Sequence, residues 1–98
     1  MIRLMLPFHL QTLAGCEAEV ILPAPSHPTT IAVIQALEAL HPTLRGAILD
    51  SNTGKRRPKV RFFACKKDIS HHEMTDPLPD EIINGTEPLL IVGAISGG

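Results

Sequence analysis

The chain has 98 residues, of which 44% are hydrophobic and 19% charged, and its formal net charge is −1 at pH 7. A chain of this length and composition is expected to form one globular domain, and none of its apolar runs approaches the ~20 residues of a membrane span. Tyr and Trp are absent and there are three Phe, which disfavours the aromatic stacking surfaces of single-stranded nucleic-acid binders. We therefore expect a single domain over residues 1–98 that binds neither nucleic acid nor a membrane.

The charges are unevenly distributed along the chain. Seven of the nine Lys and Arg residues lie between Lys55 and Lys67, whereas residues 68–98 contain six acidic residues and no Lys or Arg. A basic segment can bind nucleic acid, but the near-neutral net charge and the scarcity of aromatic residues favour an acidic protein partner or a solvated surface.

The two cysteines, Cys16 and Cys65, are expected to be reduced, partly buried thiols of a cytoplasmic protein. Residues 13–16 spell LAGC, the box at which bacterial lipoproteins are cut and lipidated. The apolar stretch before it is interrupted by a proline and by polar residues, whereas a secretory signal needs ~7–15 continuously apolar residues. The sequence therefore disfavours a lipoprotein.

Alternating apolar and polar residues predict two strands near the start of the chain. Residues 1–6 (MIRLML) form the first, and residues 16–22 (CEAEVIL) form the second. A turn region bracketed by Pro7 and Gly15 connects them, which predicts a hairpin. The proline-rich stretch after residue 22 ends the second strand.

A helix is predicted next, with Thr30 as its N-cap, Ile31–Leu40 as its body and Pro42 after its end. Its apolar residues at helical spacing form one stripe, which should pack on a sheet. The residues of this stripe are Val33, Ile34, Leu37 and Leu40.

After a turn at residues 52–54, residues 58–67 (PKVRFFACKK) alternate again and predict a third strand. An acidic segment punctuated by prolines, residues 68–88, is expected to be irregular apart from one short turn of helix or strand. Residues 89–92 form the last predicted strand. The order β-β-α-β-irregular-β, with the helix on one face of a mixed sheet, predicts an α+β domain with a β-grasp (ubiquitin-like) fold.

Several stretches of the chain resemble the MoaD/ThiS family of sulfur carrier proteins, which includes the small subunit of molybdopterin synthase. The first turn resembles that of the family in Pro7, Leu10 and the LAG of residues 13–15, and residues 30–50 resemble its helix and following arm. TGKRRPKVRFF at 53–63 and KDI at 67–69 resemble the next strand and loop, and GAISGG at 93–98 resembles the approach to the family's Gly-Gly ending.

The resemblance implies that the protein is a carrier and not an enzyme. A ubiquitin-activating-type adenylating enzyme would use ATP to adenylate the Gly98 carboxylate, and sulfur would then displace AMP to leave a thiocarboxylate. A biosynthetic enzyme of molybdopterin, thiamine, cysteine or a similar product would accept the sulfur. The carrier itself would bind no cofactor.

Residues 93–98 are expected to be a flexible tail that enters a narrow channel of the adenylating enzyme. Gly97 and Gly98 have no Cβ, so the walls of the channel can approach their backbone closely. Ile95 is expected to provide an apolar contact near the channel mouth.

The sheet face opposite the helix is the predicted docking surface. Phe63 should lie there among Arg61, Lys59 and Cys65, with Met5 and Ile21 from neighbouring strands beside it. An apolar centre with a charged rim is typical of protein interfaces, and the family docks with this face and its tail. We therefore predict that Phe63, Arg61 and Ile95 bind partners. The alternative is that a loop partly covers Phe63 and that Arg61 is merely solvated.

Three further groups of polar residues are candidate sites. Cys65, His71 and His72 match no paired zinc spacing, so exposed loop histidines and no metal are expected. The lysines after Cys65 could lower its pKa for sulfur relay, but a packed strand cysteine is the competing interpretation. Asp80 and Glu81 lack a partnering histidine and are expected in a solvated loop.

The chain also departs from the family pattern. Residues 84–87 (NGTE) stand where many members have a Gly-Asp turn, Gly93 stands where proline is common, and Ser96 replaces an alanine or similar residue. Two further functions therefore remain open: a ubiquitin-like protein modifier, and a non-covalent ubiquitin-like binding module. The pathway, the acceptor and the sulfur donor are not fixed by the sequence.

Overall fold

The structure is a computed structural model that describes residues 1–93. The strands are β1 (Ile2–Met5), β2 (Glu19–Leu22), β3 (Val60–Ala64), β4 (Lys67–Asp68) and β5 (Leu89–Gly93). The helices are α1 (Phe8–Ala14), α2 (Thr30–Leu40) and α3 (Asp80–Ile83), with a 3₁₀ helix at Pro42–Leu44. The predicted tail contacts at Ile95, Gly97 and Gly98 lie outside the described residues.

The five strands form one mixed sheet in the order β2-β1-β5-β3-β4. β1 is antiparallel to β2 and parallel to the central strand β5, while β3 is antiparallel to both β5 and β4. This is the β-grasp arrangement, so the predicted fold class is confirmed. The last strand lies in the middle of the sheet, and its end therefore emerges between other elements of the domain.

The hydrophobic core lies between α2 and one face of the sheet. Alternate strand residues point inwards because successive side chains of a strand project to opposite faces. Val33, Ile34 and Leu37 of α2 are completely buried against this face. The inward-facing sheet residues include Ile2, Leu4, Val20, Leu22, Val60, Phe62, Leu89 and Ile91.

α2 begins one residue earlier than predicted. Thr29 is its N-cap, and the Thr29 hydroxyl accepts a hydrogen bond from the Ala32 backbone N–H at 3.2 Å. The prediction that Leu40 belongs to the buried stripe is wrong, because its side chain is 54% exposed. The 3₁₀ helix turns back after α2, and its fully buried Leu44 fills this end of the core instead.

The predicted turn region between β1 and β2 contains the helix α1. Pro7 precedes the helix with φ −69°, Leu10 is buried beneath it, and Gly15 ends it in the left-handed conformation with φ 66°. Proline before a helix and glycine after it are common boundary residues. The bracketing residues were identified from the sequence, but the helix between them was missed.

The acidic segment is attached to the start of α2. Leu78 N–H donates to Pro28 O at 2.9 Å, and Ile31 N–H donates to Met74 O at 3.0 Å. The buried side chains of Leu78 and Ile82 anchor the segment from within. The short helical turn expected here is α3, and its first residues Asp80 and Glu81 are exposed. No helix within residues 1–93 is both long enough and apolar enough to cross a bilayer.

Candidate interaction face

The sheet face that α2 does not cover has an apolar row at its centre. Met5 lies opposite Leu90 in the parallel β1–β5 pair, and Leu90 lies opposite Phe63 in the antiparallel β5–β3 pair. All three side chains are half-buried, and Val92, one position further along this face of β5, is 41% exposed. We call Met5, Phe63, Leu90 and Val92 the outer face.

Charged residues border the outer face on both sides. On the β1–β2 side, Arg3 Nε lies 3.0 Å from Glu19 Oε2, and Arg3 Nη1 donates to Gly85 O at 3.2 Å. On the β3–β4 side, Arg61 Nη1 lies 3.3 Å from Asp68 Oδ2. Partly exposed ion pairs of this kind add little stability, but they give the apolar row the polar rim that protein interfaces have.

The structure brings together most of the predicted face. Phe63 and Arg61 point to the side of the sheet that carries Met5, as the alternation predicted. Ile21 lies away from this row, because it is opposite Arg3 on the edge strand β2. That these residues bind a partner stays a prediction.

Leu90 and Val92 are face residues that the sequence analysis missed. β5 is paired on both sides, and its apolar run LLIV shows no alternation of polarity. Continuous apolar runs are typical of central strands and do not reveal which residues face outwards. Only the pairing register with Met5 and Phe63 places Leu90 between them.

The end of β5 borders the outer face. Gly93 pairs with Val60, and Val92 pairs with Arg61, at the start of β3. A shallow depression of about 340 Å³ lies here, lined by Pro58, Lys59, Arg61, Val92 and Gly93. The chain therefore leaves the sheet beside two cationic side chains and an exposed valine.

The basic segment is less available for partners than its composition indicates. Arg56 Nη1 donates to Val60 O at 2.6 Å, and Arg56 Nε donates to Ser70 O at 3.1 Å. Arg57 Nε donates to Gly46 O. These two arginines hold loop backbone in place, and Arg57 remains exposed while it does so.

Cys65 does not lie in a strand, contrary to the sequence analysis. β3 ends at Ala64, and Cys65 and Lys66 form the tight turn into β4 with φ values of 51° and 68°. Partial burial raises the pKa of the Cys65 thiol, and the negative charges of Glu81 and Glu87 raise it further, while Lys67 lowers it. This direction is opposite to that of an activated thiol.

The loop after β4 contains the two candidate histidine ligands. His71 and His72 are exposed, and His71 Nε2 lies 3.3 Å from Arg61 Nη1. Within residues 1–93, no group of three or more His, Cys, Asp or Glu side chains is arranged to hold a metal ion. Hydrogen bonds from Ser70 lower the pKa of Asp68, and the nearby Arg61 and His71 lower it further.

No protein-family model and no curated protein matches the chain. Solved structures do match it over nearly its whole length. SAMP1 from Haloferax volcanii is 16% identical, with a TM-score of 0.76 over 99% of this chain and 98% of that one. A chain of the BexX/CysO complex from Amycolatopsis orientalis is 19% identical, with a TM-score of 0.77 over 100% of both chains. CysO from Mycobacterium tuberculosis is 22% identical, with a TM-score of 0.74 over 97% of this chain and 100% of that one.

At these identities the likeness establishes a shared fold. The chain is a small ubiquitin-like β-grasp domain of the kind seen in these neighbours, which is the fold that the resemblance to the MoaD/ThiS family implied. A further neighbour is small archaeal modifier protein 1 (SAMP1) from Methanosarcina acetivorans. One of the neighbours, CysO, has been solved in complex with another protein, BexX.

Proposed function

We propose that this protein is a cytoplasmic sulfur carrier of the MoaD/ThiS type. Its outer face docks on a ubiquitin-activating-type adenylating enzyme, which brings the Gly98 carboxylate to ATP. The carboxylate attacks the α-phosphorus, pyrophosphate leaves, and an acyl-adenylate forms. Sulfide, or its equivalent from a donor, then attacks the acyl carbon, the bond to AMP breaks, and a thiocarboxylate remains.

The observation that carries the proposal is the continuity of the outer face with the end of β5. The apolar row Met5–Leu90–Phe63 continues through Val92 to Gly93. A partner that covers this row is therefore beside the point where the chain leaves the sheet towards residues 94–98. A docking surface next to the reacting segment lets the binding energy of remote contacts position the reacting group.

The carrier contributes the acyl group and the surface, and the partner contributes the ATP chemistry. The proposed partners are the adenylating enzyme and a sulfur-acceptor enzyme that makes a cofactor or metabolite such as molybdopterin, thiamine or cysteine. The CysO–BexX complex supports protein partnership for a domain of this shape.

A protein modifier is the second candidate, because two structural neighbours are named modifier proteins. A modifier shares the adenylation step, but the activated carboxyl group is transferred to a lysine amine and forms an isopeptide bond. The two functions therefore differ in the product that accumulates at Gly98.

The test is the intact mass of the untagged protein, purified from its own host without thiol reagents. A sulfur carrier shows a species in which one oxygen at Gly98 is replaced by sulfur, and fragmentation places the change on that residue. A modifier instead shows branched Gly98–lysine peptides in host proteins. If the mass remains unmodified after incubation with host extract and ATP, both proposals are wrong and a non-covalent binding module is the better description.

Two variants sharpen this test. Removing Gly97 and Gly98, or extending the chain beyond Gly98, should abolish the modification while leaving the fold of residues 1–93 intact. A variant such as Ile21→Ala, at the sheet edge away from the apolar row, should be modified like the unaltered protein. Retained biological activity after the truncation would contradict the carrier proposal.

A further inference from the structure

A groove lies between the β3–β4 turn and the acidic segment, at the end of the sheet where β5 begins. Its volume is about 350 Å³, which is within the usual range of ligand pockets. The buried side chains of Ala64 and Leu78 and the half-buried side chain of Ile69 form an apolar floor. Pro77 and Pro79 line the groove beside them.

Backbone hydrogen bonds give the groove a defined shape. Leu78 N–H donates to Pro28 O at 2.9 Å, which ties the acidic segment to the residues before α2. On the other side of the groove, Ile69 N–H donates to Phe62 O at 2.8 Å, and Phe62 N–H donates to the buried Ser70 Oγ at 2.8 Å. Both walls are therefore fixed to the core in the free protein, which lowers the conformational cost of binding a ligand between them.

The rim of the groove carries an excess of negative charge. Three exposed carboxylates line it, those of Glu73, Asp76 and Glu81, against the single ammonium group of Lys67. With His72 neutral, the lining residues have a formal charge of −2. Within residues 1–93, none of the three carboxylates forms an ion pair. We call this site, with its apolar floor and carboxylate rim, the acidic groove.

The Cys65 thiol also lines the acidic groove, and its pKa reflects the charge of the rim. Partial burial raises the pKa of this thiol, the negative charges of Glu81 and Glu87 raise it further, and Lys67 lowers it. The contribution of the charges is unfavourable for an anion and, for the same reason, favourable for a cation.

The start of α2 lies at the acidic groove but does not make it an anion site. The free N–H groups of a helix N-terminus attract anions, whereas in α2 two of these donors are occupied. Ile31 N–H donates to Met74 O at 3.0 Å, and Ala32 N–H donates to the Thr29 hydroxyl at 3.2 Å. A helix end is equivalent to about +0.5 charge, which is smaller than the charge of −2 on the lining residues. The electrostatics therefore favour a cationic ligand.

We propose that the acidic groove binds a lysine or arginine side chain presented on an extended segment of a partner protein. The aliphatic stem of that side chain lies on the apolar floor, and its charged end lies among Glu73, Asp76 and Glu81. Lys and Arg side chains combine an apolar stem with a charged end, which matches both parts of the groove. An inorganic cation would leave the floor uncovered, and an apolar side chain would leave the carboxylates without a partner.

The position of the acidic groove makes it a separate site from the end of β5. Ala64, which lines the groove, is the last residue of β3, whereas Gly93 pairs with Val60, the first residue. At about 3.4 Å per residue, these two ends of β3 are roughly 13 Å apart. A partner segment in the groove therefore leaves the end of β5 uncovered. The inference goes beyond the proposed function and needs no reaction at Gly98.

The probe is the peptide acetyl-Ala-Leu-Arg-Leu-Ala-amide, titrated into the isotope-labelled full-length protein while the backbone amide chemical shifts are recorded. The matched control peptide has citrulline, which is neutral and of nearly the same size, in place of arginine. The arginine peptide should shift the amides of Cys65, Ile69 and Leu78 and leave those of Met5 and Leu90 unchanged. Its Kd should be about fivefold lower than that of the citrulline peptide, as expected for partly exposed ion pairs, and added salt should remove most of this difference.

Two charge variants with opposite expected effects separate recognition from folding. Glu81→Gln removes a carboxylate of the rim and should raise the Kd of the arginine peptide about threefold. Lys67→Gln removes the competing ammonium group and should lower this Kd by a similar factor. Glu17→Gln is the matched control, because Glu17 is exposed and lies outside the groove. It changes the net charge as Glu81→Gln does and should bind the peptide like the unaltered protein.

Three results would overturn the inference. The first is an equal Kd for the arginine and citrulline peptides, or shifts centred on the outer face. The second is equal weakening by Glu17→Gln and Glu81→Gln, which would show a general attraction between charges. The third is a change of the groove shifts with the concentration of the protein alone, which would assign the groove to a second copy of this chain. These results do not bear on the thiocarboxylate at Gly98, which the intact mass tests separately.

Discussion

Phe63 and Leu90 lie directly opposite each other on β3 and β5, on the sheet face away from α2. Directly paired residues on one face of an antiparallel pair are close enough for their side chains to pack. Met5 continues the row on the other side of Leu90. An apolar row across three adjacent strands is a compact target for a partner, and half-buried side chains give it a defined shape.

Phe63→Ala should weaken binding of the adenylating enzyme by about 2 kcal/mol, or ~30-fold in Kd, because aromatic residues at the centre of an interface contribute most of its energy. Phe63 is only half-buried, so the fold should tolerate the change. Isothermal titration with the purified enzyme gives the affinity, and circular dichroism monitors folding.

Ile21→Ala is the control for Phe63→Ala. Ile21 is 52% exposed on the same side of the sheet, but it lies on the edge strand opposite Arg3. Ile21→Ala should therefore leave the affinity for the adenylating enzyme within about twofold of the unaltered protein, as expected for a residue outside the energetic centre of an interface. Equal losses for both variants would show that the interface is centred elsewhere.

Gly85→Ala should destabilise the fold more than Gly54→Ala. Both glycines have positive φ, 84° and 72°, where an added Cβ costs about 1–2 kcal/mol. A Cβ at Gly54 would meet no atom within 4 Å, whereas a Cβ at Gly85 would lie 2.7 Å from Met1 O. The additional loss of unfolding free energy in Gly85→Ala therefore measures the close approach of the backbone at Gly85 to the backbone at Met1. Urea unfolding of both variants gives the difference. Equal losses would mean that Met1 moves aside freely.

The sequence was sufficient for the main architecture because alternation and helical spacing are strong in β1, β2, β3 and α2. The same alternation placed Phe63 and Arg61 on one face with Met5. The sequence did not predict Leu90 and Val92 as outer-face residues. β5 is a central strand, and its apolar run LLIV does not show which side chains face outwards. Only the pairing of β5 with β1 and β3 shows that Leu90 lies between Met5 and Phe63.

The missed elements are short or depend on tertiary contacts. α1 has seven residues, and a helix of this length is stable only when it packs on a core. β4 has two residues, and the turn before it uses positive φ at Cys65 and Lys66, which sequence patterns favour for Gly or Asn.

Leu37→Ala and Leu40→Ala form a matched pair on one face of α2. Leu37 is completely buried, whereas Leu40 is 54% exposed. Leu37→Ala should lower the free energy of unfolding by about 2–5 kcal/mol, and Leu40→Ala should change it by less than about 0.5 kcal/mol. Chemical denaturation measures both values, and a large loss at Leu40 would show that the helix end is packed more deeply than the structure places it.

Cys65 should react slowly with iodoacetamide at neutral pH. Partial burial and the negative charges of Glu81 and Glu87 raise the pKa of its thiol above that of an ordinary cysteine, and the thiolate is the reacting form. In a Cys16→Ser background, the alkylation rate should therefore rise with pH and reach its midpoint at a higher pH than for an unstructured cysteine peptide.

Glu81→Gln tests the electrostatic part of this explanation. The substitution removes one negative charge near the thiol, which makes the thiolate less costly to form. The midpoint of the alkylation profile should consequently move to lower pH, and the rate at neutral pH should increase. A midpoint at or below that of an unstructured cysteine peptide, measured without the Glu81 substitution, would contradict the pKa direction and return Cys65 to consideration as a sulfur-relay thiol. An unchanged midpoint after Glu81→Gln would leave burial as the cause of the slow reaction.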